Sequence, residues 1–185
     1  LRSYARIYGP AAVFYDAGCG IDSVDDDTAP DYLSKHGYDL VVWATGETST
    51  KTDVLTKEQR DAIVKLRDAG TAVILSGAEL GYALDDEAYS GDKSYLNVHF
   101  GAIYSEDSSK SNTVESAGLS VANKFDYGTC IEFGGKAGTP VPDTACIEYP
   151  DTYNAAEGAT VLLKYDNGKG AAILSPDKKA VAAGF

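Results

Sequence analysis

Asp16 and Cys19 are the first residues whose types and spacing could support chemistry. Ala11 to Asp16 is an apolar run that ends in an acid, followed by Cys19 between two glycines. This pattern predicts a buried first strand with Asp16 and Cys19 at its carboxyl end, where open α/β sheets bind ligands. Exposed backbone N–H groups at such a turn can lower a thiol pKa and create a nucleophile. No His can be assigned as the base, so a small packed cysteine is the competing interpretation.

The second candidate site is an acidic run with four carboxylates in six residues: Asp22, Asp25, Asp26 and Asp27. Calcium takes about six to eight oxygen ligands, which such a loop could supply in part. The spacing does not fit an EF-hand, because the required Gly and the distal Glu are not in place. The alternative is an exposed acidic turn before a helix over 30–36, with Thr28 as its cap, Pro30 in its first turn and His36 in its last turn.

The elements that must position these residues are clearest in the middle of the chain. Residues 39–44 and 71–76 are continuous apolar runs, typical of strands covered by helices on both faces. A helix is predicted over 56–69, because its first threonine forms a capping box with Gln59 and because Gly70 can end it. Two buried strands joined by a helix predict a parallel βαβ unit.

The turn after the second strand runs from Ser76 to Gly81 and leads into a helix predicted over 80–84. A strand, a sharp turn and a helix is the geometry in which many hydrolases hold a nucleophile. Glu79 lies in this turn, so it joins Asp16 and Cys19 as a candidate catalytic residue. The turn contains no Cys and no G-x-S-x-G motif.

The C-terminal part, from about residue 102, predicts short strands rather than helices. A helix is expected around 93–100. Asn167-Gly168 between two apolar runs is a strong hairpin signal. The predicted strands are 102–104, 113–116, 131–133, 145–149, 161–165 and 171–174. No biased linker separates this part, so residues 1–185 are expected to form one domain with a β-rich extension.

Cys130 and Cys146 flank a Gly- and Pro-rich loop, and each precedes a short β-like run. They could form a disulfide across neighbouring strands, which would stabilise the fold by roughly 3 kcal/mol. Such a bond implies an oxidising compartment. The alternative is two buried free thiols.

Composition excludes some classes of function. The 185 residues carry a net charge of -12 with only 16 Lys and Arg, which argues against nucleic-acid binding. No apolar stretch approaches the roughly 18 to 20 residues that a membrane span needs. The chain starts with Leu1 and contains no Met, so a processed product or an excised piece of a larger protein is expected.

The order of motifs resembles the class I glutamine amidotransferase-like (flavodoxin-like) domains appended to large secreted bacterial and archaeal proteins. The resemblance rests on 38–46, on 73–82, on Tyr149-Pro150-Asp151, on the hairpin over 161–174 and on 181–185. It implies an α/β three-layer sandwich with a mainly parallel central sheet and a β-rich C-terminal extension with a hairpin. Active members place a Cys at the turn and a His with a Glu near the C-terminus. Here Gly77 and Ala78 occupy the turn and no His follows His99, so the resemblance implies a missing triad.

Two functional classes remain open. The first is a non-catalytic structural or interaction module of a secreted or cell-surface protein. Its partners would be other proteins, neighbouring domains of a larger chain or further copies of itself. No cofactor is expected, although the acidic run leaves calcium binding open. The second is a hydrolase that uses Cys19, or a metal held by Asp16 and the run from Asp22 to Asp27.

Overall fold

The computed structural model describes residues 11–46, 54–85, 92–118 and 149–185, and the backbone of 130–132. The chain divides into two compact units, Leu1–Gly37 and Tyr38–Phe185. Each unit is described separately, and the single-domain expectation stays a prediction. In the described ranges, no helix is both long and apolar enough to cross a bilayer.

The first unit begins with a helix where the sequence predicted a strand. Residues 11–16 are helical (α1), and the side chain of Tyr15 is 73% exposed. Gly18 ends the helix with φ +83°, and the Cys19 N–H donates to the Phe14 carbonyl at 2.9 Å, as in a Schellman motif. The prediction of a buried first strand is therefore wrong. The reason is that a short apolar run does not distinguish strand from helix, while the glycine that follows it is a helix stop signal.

The second helix, α2 (Ala29–Lys35), confirms the helix predicted over 30–36 and has Pro30 in its first turn. Thr28 stands at the N-cap but makes no capping hydrogen bond with its side chain. Instead, the Asp25 carboxylate accepts from the Thr28 N–H at 2.9 Å and from its hydroxyl at 2.8 Å. His36 Nδ1–H donates to the Tyr32 carbonyl at 2.9 Å, which gives this histidine a structural role.

The second unit is an open mixed α/β arrangement. Its helices are α3 (Lys57–Asp68), α4 (Leu80–Asp85) and α5 (Tyr95–Phe100). Its strands are β1 (Leu40–Gly46), β2 (Ala72–Gly77), β3 (Ala102–Glu106), β4 (Thr113–Ser116), β5 (Cys130–Glu132), β6 (Thr152–Ala155), β7 (Thr160–Tyr165), β8 (Gly170–Leu174) and β9 (Ala180–Ala183).

The βαβ prediction is confirmed by β1, α3 and β2. The two strands are parallel neighbours, with Val41 opposite Val73. Thr56 and Gln59 form the expected capping box, because each side chain bonds the backbone N–H of the other at 3.2 and 2.8 Å. Gly70, with φ +95°, ends the helix, as the sequence indicated.

Burial along β1 and β2 alternates. Val73 and Leu75 are fully buried on one face of the sheet, whereas Ile74 is half-buried and Val42 is 39% exposed on the other face. The continuous apolar runs predicted cover on both faces, and the described residues do not confirm it.

The described strands form one nine-stranded sheet whose main path is β1-β2-β9-β8-β7-β4-β5, with β6 pairing to β8 and β3 to β6. The pairings β1–β2 and β2–β9 are parallel, and the other pairings are antiparallel. The mixed α/β class is confirmed, but the sheet is mostly antiparallel rather than mainly parallel. Short turns join β7, β8 and β9, and a turn of that length cannot connect parallel strands.

The predicted hairpin is confirmed by β7 and β8, which are antiparallel. Gly168 takes φ +88° and its N–H donates to the Tyr165 carbonyl at 2.8 Å.

Residues 145–148 lie outside the described part of the chain, as does Cys146. The Cys130–Cys146 disulfide therefore stays a prediction.

Candidate functional site

Three carboxyl groups come together in the second unit, and we call Glu79, Asp107 and Asp151 the carboxyl cluster. Glu79 lies in the turn between β2 and α4, Asp107 directly follows β3, and Asp151 directly precedes β6. Because β3 and β6 are antiparallel and their last pair is Glu106 with Thr152, Asp107 and Asp151 leave the sheet side by side. The charges of Glu79 and Asp107 raise the pKa of Asp151, and the charge of Asp107 raises that of Glu79.

The turn that carries Glu79 is held against the end of β1. The Ala78 N–H donates to the Gly46 carbonyl at 3.1 Å, and the Thr45 hydroxyl donates to the Ser76 carbonyl at 3.1 Å. A Cβ at Gly77 would overlap the Thr45 hydroxyl. Glycine is therefore required where the end of β2 lies beside β1.

The loop after Asp107 is fixed to the residue before Asp151. The Ser109 N–H donates to the Pro150 carbonyl at 2.8 Å, and the Asn167 side-chain amide donates to the Ser109 carbonyl at 2.6 Å. The β7–β8 hairpin thus supports the loop that places Asp107.

Asp151 is fully buried, and its carboxylate closes the start of α4. Oδ2 accepts from the Gly81 N–H at 2.5 Å, and from the Tyr82 N–H and the Tyr153 hydroxyl at 3.4 Å each. Gly81 leaves no space for a side chain, since a Cβ there would lie 2.7 Å from the rings of Tyr104 and Tyr153. The carboxylate and the turn are therefore packed in direct contact.

The backbone of Asp151 joins three further segments. Its N–H donates to the carbonyls of Ala78 at 3.1 Å and Gly184 at 2.9 Å, and its carbonyl accepts from the Tyr165 hydroxyl at 2.8 Å. One residue thus connects the turn after β2, the C-terminal residues and β7.

Each member of the carboxyl cluster has a buried oxygen atom without a hydrogen-bond partner among the described residues: Glu79 Oε2, Asp107 Oδ1 and Asp151 Oδ1. Burial raises the pKa of Asp151 well above its usual value, although the N–H groups of Gly81 and Tyr82 act in the opposite direction. Burial, and then the negative charge of Asp107, raise the pKa of Glu79 to about 7. Burial also raises the pKa of Asp107, partly offset by Lys110.

A carboxyl whose pKa lies near 7 is suited to general acid–base chemistry. The turn itself, however, provides no thiol, and the first amides of α4 already bind the protein's own carboxylate. Among the described residues, the site can hold protons, but it places no nucleophile beside free backbone donors.

The candidate residues from the sequence belong to two different units of the structure. Glu79 joins the carboxyl cluster, whereas Asp16 and Cys19 lie in the first unit, where Cys19 is exposed at the end of α1. Because residues 11–16 are helical, neither residue stands at the carboxyl end of a strand. Sequence reasoning missed Asp107 and Asp151 as site residues, since only the pairing of β3 with β6 places them together.

The acidic run is exposed, and Asp22, Asp26 and Asp27 lie with Asp25 on the turn before α2. The hydrogen bond from the Thr28 side chain lowers the pKa of Asp25. Within the described ranges, no three His, Cys, Asp or Glu side chains are arranged to hold a metal ion. The calcium site therefore stays a prediction.

No protein-family model matches the chain, and a comparison with curated proteins finds no significant match. The resemblance to amidotransferase-like domains therefore stays a prediction from the sequence.

Proposed function

We propose that the chain is a non-catalytic structural or interaction module of a secreted or cell-surface protein. The observation that carries this proposal is the position of the Asp151 carboxylate on the N–H groups of Gly81 and Tyr82. In a strand–turn–helix active site, backbone N–H groups at the turn stabilise the oxyanion that forms during acyl transfer. Here the side chain of Asp151 already accepts hydrogen bonds from the first helical amides.

Asp151 is unsuited to act as a movable plug. Its side chain is fully buried, and its backbone is bonded to Ala78, Gly184 and Tyr165. A substrate oxyanion could use the two amides only after this side chain had left its buried position, and the backbone contacts of the same residue restrict such a movement. The carboxylate therefore acts as a structural closure of the turn.

The proposed fold family is a divergent class I glutamine amidotransferase-like domain without its triad, with a three-layer sandwich as its complete form. Support comes from the order β1, α3, β2, turn and α4, and from β9, which runs parallel to β2. Gly77 and Ala78 stand where active members carry a Cys. Secretion and the Cys130–Cys146 disulfide belong to the same proposal, and the net charge of -12 is compatible with them.

A strip of apolar side chains supports a role in protein contacts. Val42, Ile74 and Val181 lie opposite one another on adjacent parallel strands, so they share one face of the sheet. Ile74 and Val181 are half-buried, and Val42 is 39% exposed. An apolar surface of this kind suits another protein, either a neighbouring domain or a second copy of the chain.

A hydrolase is the alternative, and the exposed thiol of Cys19 is the observation in its favour. It would use Cys19 as the nucleophile, or a metal held by Asp16 and the run from Asp22 to Asp27. The assay must therefore test these residues directly.

The test compares hydrolysis of glutamine and of an activated ester by the native chain, by Cys19→Ala and by Glu79→Gln, with and without calcium. We expect rates equal to the buffer background for all three proteins, because the turn combines no nucleophile with free amide donors. Turnover that Cys19→Ala or Glu79→Gln abolishes while the protein stays folded would contradict the proposal. Turnover that requires calcium would favour the metal-dependent alternative.

A further inference from the structure

The carboxyl cluster is an arrangement that the proposed function does not explain. Three acids contribute buried oxygens that have no hydrogen-bond partner in the described part of the chain. Unpaired carboxylates are costly in a low-dielectric site, and like charges close together cannot all stay ionised. A protonated carboxyl carries no charge and can donate as well as accept a hydrogen bond.

The groups that face the cluster do not neutralise it. Glu79 and Asp107 are the charges that act on Asp151, and Asp107 also acts on Glu79. Lys110 acts on Asp107 but is itself exposed. Within the described ranges, the other ionisable groups that interact with members of the cluster or with Tyr104 are four tyrosines and one acid: Tyr82 and Asp85 on α4, Tyr104 on β3, Tyr153 on β6 and Tyr165 on β7.

We propose that the carboxyl cluster is a proton-operated clasp, in which protons bound by its buried carboxyl groups hold the turn after β2 closed. Loss of protons as the pH rises increases the negative charge of the cluster at one end of the sheet and loosens the turn together with α4. The clasp is placed to act on this segment, because Asp151 bonds Ala78, Gly81 and Tyr82 within it.

The direction of the pH effect follows from the raised pKa values. A carboxyl with a higher pKa in the folded state contributes stability that is complete below its unfolded pKa and is lost as pH rises through its folded pKa. For Glu79 this window runs from its usual 4.5 to about 7, and Asp151 also titrates above its usual range. The pKa values of Asp61 and Asp177 are lowered in the folded state. Their contributions to stability therefore have the opposite pH dependence, and they change at pH values below this window.

The experiment measures Tm of the native chain from pH 5.5 to 8.5, beside Glu79→Gln, Asp107→Asn and Asp61→Asn. We expect the Tm of the native chain to fall by about 5 °C over this range. Glu79→Gln should flatten the profile, because the amide cannot ionise. Asp61→Asn is the matched control, since it removes an exposed carboxyl that is paired to Lys57 at 2.6 Å, and it should keep the native profile.

A flat profile for the native chain, or a Glu79→Gln profile as steep as the native one, would overturn the proposal. If Glu79→Gln does not fold, Asp107→Asn is judged by the same criteria. The series is repeated with calcium at pH 8.5. A rise in Tm on adding calcium that Glu79→Gln abolishes would assign a cation to the cluster and overturn the proton clasp.

Discussion

Asp151→Ala is expected to lower the free energy of unfolding by about 3 to 4 kcal/mol. The carboxylate accepts from the N–H groups of Gly81 and Tyr82 and from the Tyr153 hydroxyl, and its side chain is fully buried. Alanine leaves these donors without an acceptor in a site that excludes water, and each buried unsatisfied donor costs about 1 to 3 kcal/mol. Urea denaturation monitored by circular dichroism measures the change.

Asp151→Asn is the matched control, because the amide oxygen can still accept from the Gly81 N–H and the –NH₂ group can donate to a neighbouring carboxylate. We expect it to stay within about 1 kcal/mol of the native chain near neutral pH. Equal losses for the alanine and asparagine variants would show that the hydrogen bonds to the turn do not account for the role of Asp151.

Gly184→Ala is expected to destabilise the chain by about 3 kcal/mol, because a Cβ at this position would overlap the Asp151 carbonyl oxygen. The obstacle is backbone, which cannot rotate away as a flexible side chain could. Gly184 also accepts from the Asp151 N–H at 2.9 Å and donates to the Ala171 carbonyl at 3.0 Å, so any shift would break the link between β8 and the start of β6. Thermal and urea unfolding measure the loss.

Gly37→Ala provides the control for Gly184→Ala. A Cβ at Gly37 would meet no atom within 4 Å. We expect the unfolding free energy of this variant to change by less than about 0.5 kcal/mol. A Gly184→Ala variant as stable as Gly37→Ala would mean that the close approach of Gly184 to Asp151 does not limit stability.

Local signals in the sequence predicted the elements whose stabilising contacts join residues close together in the chain. The capping box of Thr56 and Gln59 and the stop at Gly70 fixed α3, and Asn167-Gly168 fixed the β7–β8 hairpin. These signals work because the interactions they describe join residues close in the chain.

The parts that the sequence did not predict depend on distant partners. Whether most strand pairs are parallel or antiparallel depends on which strands become neighbours in the sheet, and no local sequence pattern specifies those neighbours. The prediction of a strand over residues 11–16 was wrong because a short apolar run suits either a strand or a helix, and Gly18 favoured the helix.

The candidate site was predicted in part for the same reason. Glu79 could be identified because the strand–turn–helix order is visible along the chain. Asp107 and Asp151 look like ordinary surface acids until β3 pairs with β6 and buries the second of them. A buried acid has no signature of its own in a chain with 28 acidic residues.

Amide hydrogen exchange at Gly81 and Tyr82, measured at pH 6 in the native chain and in Asp151→Ala, tests most directly whether Asp151 closes the turn. Because the Asp151 carboxylate bonds both N–H groups in a buried site, we expect slow exchange in the native chain. In Asp151→Ala the two amides should exchange at least about tenfold faster relative to those of β2. Exchange in the native chain as fast as in an unstructured peptide would contradict the account, since the amides would then be open to solvent or to a substrate.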